Sequence, residues 1–262
     1  TRYYDDRFGP ADPTRHDVPV PGKISYRQDV QPILDRRCVV CHACYDASCQ
    51  LKLGSWEGVA RGASKEAVYD AGRLEAAPPS RLHIDAQRAS EWRQRGFFPV
   101  LNEQDPTPAI NRDASLLYRM LELKQSHPAP TREEYDALDF SLGRTQTCAA
   151  GDEFDRYAER NPLGGMPFGL PAIAADEHRV IENWLSLGAP GEPASALPQP
   201  LEERIAQWEG FLNGDSPKQQ LVARYLYEHL FLAHLYFYDV AGTPRFFRLI
   251  RSRTAPGSTA VE

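Results

Sequence analysis

Ser25-Tyr26-Arg27-Gln28-Asp29-Val30-Gln31-Pro32-Ile33-Leu34, followed by Cys38-Val39-Val40-Cys41-His42, is the stretch that decides how this chain is read. Cys-x-x-Cys-His is the attachment signature of a c-type haem: two thiols add to the two vinyl groups of one porphyrin, and the adjacent imidazole reaches the iron. The residues ahead of it suit that use. Val30, Ile33, Leu34, Cys38 and Cys41 recur on one helical stripe, the apolar face that a helix packed on a porphyrin needs. Pro32 fits such a helix only in its first turn, where a missing N–H breaks no intrahelical bond. The competing readings are a structural or redox cysteine pair, or zinc. Zinc would want a second ligand pair of similar spacing, for which Cys44 with Cys49 is the only candidate. The motif therefore assigns Cys38 and Cys41 as thioether anchors and His42 as an iron ligand.

Around this motif lie 262 residues, enough for one large or two small domains with ordinary cores. Hydrophobic residues at 42% and charged residues at 25% give a soluble globular balance, while 22 prolines against 18 glycines predict long ordered loops. A net charge of −6 supplies no basic field for nucleic acid or for anionic lipid, so any membrane contact is local. No apolar run approaches bilayer length, the best being Leu230-Phe231-Leu232-Ala233, which predicts a soluble or peripheral protein. Covalent haem attachment is completed outside the bacterial inner membrane, so the expected address is the periplasm, with an export signal already removed. Of five cysteines the haem takes two, leaving Cys44, Cys49 and Cys148. In an oxidising compartment two of these can pair, either the local Cys44 and Cys49 or a pair involving Cys148.

Along the chain, residues 1–24 read as an extended arm and 25–190 as the haem domain. Residues 191–200 form a Pro/Ala/Ser linker, and 201–262 the helical start of a second domain. Helices are expected at Ser64–Leu74 with Ser64 as cap, at Ile84–Arg95, and at Asn111–Lys124 behind an Asn111 or Asp113 cap. Further ones are expected at Glu133–Leu142, at Asp152–Arg160, and after Asp176 through Val180, Ile181, Trp184 and Leu185 to Gly188. In the second domain, Leu201, Ile205, Trp208, Phe211 and Leu212 make one stripe. Ser216-Pro217 opens a helix to about Phe237, so apolar around its circumference that burial is the favoured reading. Phe246-Phe247-Arg248-Leu249-Ile250-Arg251 reads as a terminal strand without a partner in this chain, belonging to a larger missing domain.

The iron's sixth position decides between a carrier and an enzyme, and Met166 is the preferred occupant. It sits in Gly164-Gly165-Met166-Pro167, where glycines permit close approach and proline stiffens the exit, ahead of a closing helix. Met120 lies in a leucine stripe and reads as core. His83, His127 and His178 are weaker competitors near loops or helix starts, and His229 and His234, five residues apart, do not share a metal-binding face. An early Cys-x-x-Cys-His and a Met-Pro loop before a final Trp-containing helix resemble class I cytochrome c domains. The fold expected is thus mainly α, a class I cytochrome c-like domain with long loop insertions, followed by a helical segment and the terminal strand.

A second resemblance is more specific. Cys38-Val39-Val40-Cys41-His42-Ala43-Cys44-Tyr45-Asp46-Ala47-Ser48-Cys49-Gln50-Leu51-Lys52-Leu53 is similar to the haem region of the bacterial periplasmic fatty-acid cis/trans isomerases. Leu226-Tyr227-Glu228-His229-Leu230-Phe231-Leu232-Ala233-His234-Leu235-Tyr236-Phe237 and Phe246-Phe247-Arg248-Leu249-Ile250-Arg251-Ser252-Arg253-Thr254 also resemble that family. Its members are longer, so the resemblance is to an amino-terminal part. It implies conversion of cis to trans double bonds in acyl chains of membrane phospholipids or in free fatty acids. The haem c would be the catalytic group that transiently lowers the bond order, held by His42 and Met166. The alternative is a periplasmic electron-transfer cytochrome c. The two differ in that an isomerase needs a groove reaching the porphyrin, whereas a carrier needs only an exposed haem edge.

Overall fold

A computed structural model describes residues 2–256 apart from 44–46, 68, 71–72, 75–79, 128–131, 137, 142–146, 194–195, 232 and 241–244. Its helices, in chain order, are α1 Arg2–Phe8, α2 Gln31–Arg37, α3 Trp56–Arg61, α4 Ala89–Gln94, α5 Pro108–Asp113, α6 Leu116–Ser126, α7 Arg132–Asp136, α8 Phe154–Arg160, α9 Ala175–Ser186, α10 Gln199–Leu212 and α11 Pro217–Leu230. The expectation of a mainly α protein holds. Two short strands, β1 Tyr69–Asp70 and β2 Arg73–Leu74, pair antiparallel. The chain divides into two compact units, residues 1–193 and 194–262.

The helix before the Cys-x-x-Cys-His segment forms as its residues dictate, with one adjustment at the proline. Ser25 caps it by accepting from the Gln28 N–H, and Tyr26–Val30 winds as a wider π turn in which the Gln31 N–H reaches back to the Tyr26 carbonyl. α2 follows with Pro32 in its first turn, where the absent N–H costs nothing. Val30, Ile33 and Leu34 enter the main core with Trp56 and Val59 of α3, Leu116, Leu117 and Leu121 of α6, Phe154 of α8, and Ile181, Trp184 and Leu185 of α9. The two indoles of this core also satisfy their N–H groups, Trp56 on the Ala189 carbonyl at 3.0 Å and Trp184 on the Pro190 carbonyl at 2.8 Å. Gly188, at φ +85°, turns the chain sharply after α9, as anticipated.

Several expectations are corrected. Residues 1–24 are not an extended arm: they contain α1, bury Phe8 and His16, and tie Tyr4 to the Ala114 carbonyl at 2.5 Å. The helix expected at Ser64–Leu74 does not form among the described residues of that span. Ser64 Oγ accepts from the Glu66 N–H in a local turn that competes with helix, and the β1–β2 pair follows. The helix expected at Asn111–Lys124 is two helices, α5 and α6. Ser115 separates them, its hydroxyl donating to the Val100 carbonyl while accepting from the Tyr118 N–H. Neither Asn111 nor Asp113 is a cap. Thr107 caps α5 and Ser115 caps α6. Asp176 lies inside the first turn of α9, whose cap position is Ala174.

In the second unit α10 packs on α11, and Ser216 caps α11 with Pro217 in the first turn, as read from sequence. α11 ends at Leu230, short of Phe237, and none of its residues is buried, which overturns the favoured reading of a buried helix. Leu232 lies outside the described residues. Phe246–Arg251 is not a strand lacking a partner: Leu235 and Phe247 exchange backbone hydrogen bonds of 2.9 and 2.7 Å in a single antiparallel bridge. No helix among the described residues is long and apolar enough to cross a membrane.

Candidate functional site

The Cys-x-x-Cys-His segment leaves α2 in a tight turn. Cys38 closes the helix through its N–H on the Leu34 carbonyl, and its own carbonyl accepts from the Cys41 and His42 N–H groups at 3.1 and 3.0 Å. Three side chains are thereby gathered on one turn. Cys38 packs against the main core, Cys41 is exposed, and both are free thiols. Burial, reinforced by the neighbouring Cys41 and by Glu177, pushes the Cys38 thiol up to about 12, so it stays protonated.

His42 is 8% exposed. Its Nδ1 lies 3.2 Å from the Leu51 carbonyl, and the Leu53 N–H donates to the His42 carbonyl at 2.8 Å. Burial holds the imidazole below its ordinary pKa, so it is neutral near pH 7, with the Leu51 bond pulling the other way. A neutral ring donating from Nδ1 keeps the Nε2 lone pair for a metal, the second-shell arrangement that orients a ligating histidine. Nε2 itself has no hydrogen-bond partner among the described residues. Two unpaired thiols beside an imidazole with a fixed tautomer and an available nitrogen are the donor set a c-type haem requires, so the residues present fit that group.

Met166 is fixed on a different element. Its N–H donates to the Met120 carbonyl of α6 at 3.0 Å, and the Tyr157 hydroxyl donates to the Gly164 carbonyl at 2.9 Å. Gly165 is required there, because a Cβ would stand 2.3 Å from the Lys124 nitrogen. The loop is therefore seated on α6 with Met166 half-buried, and Met120 packs on the core as read. The competing histidines are otherwise engaged. His127 Nδ1 lies 3.3 Å from the Leu123 carbonyl, His178 faces Glu122 at 3.0 Å, and His83 sits in an exposed turn. His229 Nδ1 contacts the Tyr225 carbonyl at 2.8 Å and His234 contacts Arg248 at 2.9 Å, so the two serve separate partners.

Of the disulfide alternatives, the structure forms Cys49–Cys148, with Cα atoms 5.6 Å apart and a sequence separation of 99. Cys44 lies outside the described residues. Sequence reading missed the buried polar residues Gln50, Arg61 and Glu103 and the half-buried Arg93 that pairs with Glu103, because polar residues that pair only in the folded state leave no local periodicity. It also missed His16, whose Nε2 lies 2.9 Å from the Asn102 carbonyl deep in the first unit.

Residues 77–262 match the family model described as fatty acid cis/trans isomerase (CTI). The matched segment contains Met166 and Cys148 and begins downstream of the Cys-x-x-Cys-His turn. A comparison with curated proteins gives no match, and neither does one with solved structures.

Proposed function

The chain belongs to the fatty acid cis/trans isomerase family and is thus a cis–trans isomerase of unsaturated fatty acids, and from this premise we propose that its chemistry runs on a covalent haem c. Cys38 and Cys41 would attach the porphyrin, and His42 and Met166 would hold the iron, within a cytochrome c-like domain. The observation that carries this reading is the state of the motif turn: two free thiols precede a neutral imidazole whose Nδ1 is committed to Leu51. When bound, the haem would supply an electron-accepting iron, chemistry suited to lowering the order of a double bond with no net redox change. The chain's own residues do the rest. The Leu51 carbonyl fixes the ring of His42, and α6 holds the Met166 loop through Met120.

The substrates are acyl chains of membrane phospholipids or free unsaturated fatty acids. The exposed Leu221, Tyr225 and Phe231 support a peripheral contact with a lipid surface. The Cys49–Cys148 disulfide supports a periplasmic location, since such bonds persist in oxidising compartments. An electron-transfer cytochrome, the other reading, gains nothing from the family match. The test is to incubate purified full-length protein with cis-unsaturated phospholipid or fatty acid and resolve the products by gas chromatography, alongside a Cys38→Ala/Cys41→Ala variant. Trans products from the wild type, none from the variant, and a c-type pyridine haemochrome spectrum only in the wild type are expected. Unchanged double-bond geometry with fully haem-loaded protein would return the chain to the carrier reading.

A further inference from the structure

Arg61, at the end of α3, is 1% exposed and has no carboxylate partner among the described residues. A guanidinium buried without a countercharge is costly, so its position needs a reason. Its Nη2 donates to the Gln50 carbonyl and its Nη1 to Ser80 Oγ at 3.2 Å, while Nε finds no acceptor. The flat group stands over the rings of Trp92 and Phe97, at 5.5 and 5.0 Å from their centroids.

What Arg61 grips is strained. Cys49 and Gln50 both lie in the left-handed region, at φ +56° and +49°, a conformation that non-glycine residues keep only when surroundings impose it. Here the surroundings are redundant. The Cys49–Cys148 bridge anchors one residue, whose carbonyl also accepts from the Ser64 N–H at 2.8 Å. The Gln50 side chain donates to the Glu66 carbonyl at 3.0 Å and accepts from Ser80 Oγ at 2.9 Å. The residue that follows is Leu51, whose carbonyl meets Nδ1 of His42, and two residues further the Leu53 N–H closes on the His42 backbone.

We propose that Arg61 and the Cys49–Cys148 disulfide are positioning groups for His42: together they hold the strained Cys49-Gln50 turn so that the Leu51 carbonyl sets the orientation and donor strength of the axial imidazole. This rests on the haem reading above. The hydrogen bond from Nδ1 strengthens the imidazole as a donor and favours the ferric state, so loosening the turn raises the midpoint potential.

The test uses full-length holoprotein. Arg61→Gln, Arg61→Lys and the double change Cys49→Ser/Cys148→Ser are each compared with wild type by redox titration and by the g-tensor of the low-spin ferric haem. Arg36→Ala, on the outer face of α2, serves as control. The expected result is a raised potential and a shifted, broadened g-tensor in all three, least in Arg61→Lys, with the control unchanged. Should Arg61→Gln fail to fold, Arg61→Lys and the cysteine pair read the same two signals. Variants that load haem and lose thermal stability, yet keep the wild-type potential and g-tensor, would reduce Arg61 and the bridge to ordinary supports and overturn the proposal. A wild type without haem would instead remove the haem reading and this inference with it.

Discussion

The unit spanning 1–193 gathers large apolar side chains into a buried core, and the unit spanning 194–262 leaves all but one of its own half-buried or exposed among the described residues. Trp184 is 0% exposed, whereas Trp208 is 45%, Leu221 69% and Tyr238 88% exposed. Among the described residues, Leu201 alone of the second unit joins the buried apolar set. Both units carry stripes at helical spacing, so the pattern that predicts a helix does not say what will cover it. In the first unit the stripes of α2, α6 and α9 face one another and build a core. In the second, α11 buries no residue fully and leaves Leu221 and Tyr225 exposed, and an apolar patch of that kind marks a surface that meets something other than water.

The sharpest way to break this contrast is to delete one indole from each unit. Trp184→Ala should cost about 3–5 kcal/mol in denaturant unfolding, the range for a buried aromatic that leaves a cavity. Opening the bridge with Cys49→Ser/Cys148→Ser should cost about 2–5 kcal/mol by the same measurement, since it cross-links a loop of 99 residues in the unfolded chain. A cost below about 1 kcal/mol for either would mean the first unit is not held as described.

Acid offers a subtler distinction. Burial pushes His16 from 6.5 down to about 4, so the unfolded state takes up a proton that the folded state refuses. The stability this provides is fully present above about pH 6.5 and is lost as pH falls towards 4, by about 3 kcal/mol in all. His16→Gln should flatten that slope in unfolding measured from pH 7 to 4. The second unit should be more sensitive to lipid than to denaturant. Leu221→Glu and Tyr225→Glu should each weaken binding to phospholipid vesicles about tenfold in a sedimentation assay, if each side chain buries in lipid. The smallest effect belongs to Trp208→Ala, which should move the unfolding free energy by no more than about 0.5 kcal/mol.

How much of this was legible depends on the range of the interactions involved. The Cys-x-x-Cys-His turn, the Ser25 and Ser216 caps and the Ile181-Trp184-Leu185 stripe are local, and the sequence showed them directly. Ser115 breaks the predicted Asn111–Lys124 helix because its hydroxyl answers the Val100 carbonyl, a partner fifteen residues away. Ser64 stops a helix that propensity favoured through a bond within its own turn. The left-handed pair Cys49 and Gln50 left no trace, because neither residue prefers that conformation and only tertiary contacts enforce it. The Cys-x-x-Cys-His turn was therefore readable, and the contacts around Leu51 that meet His42 were not.

The Cys49–Cys148 bridge also bears on how the protein can be cut. The segment that matches the isomerase family starts at residue 77, so a fragment cloned to that boundary keeps Cys148 and discards Cys49. Such a fragment carries an orphan sulfhydryl that, on oxidation, couples two copies end to end, and a dimer seen after that trimming would be an artefact of the scissors.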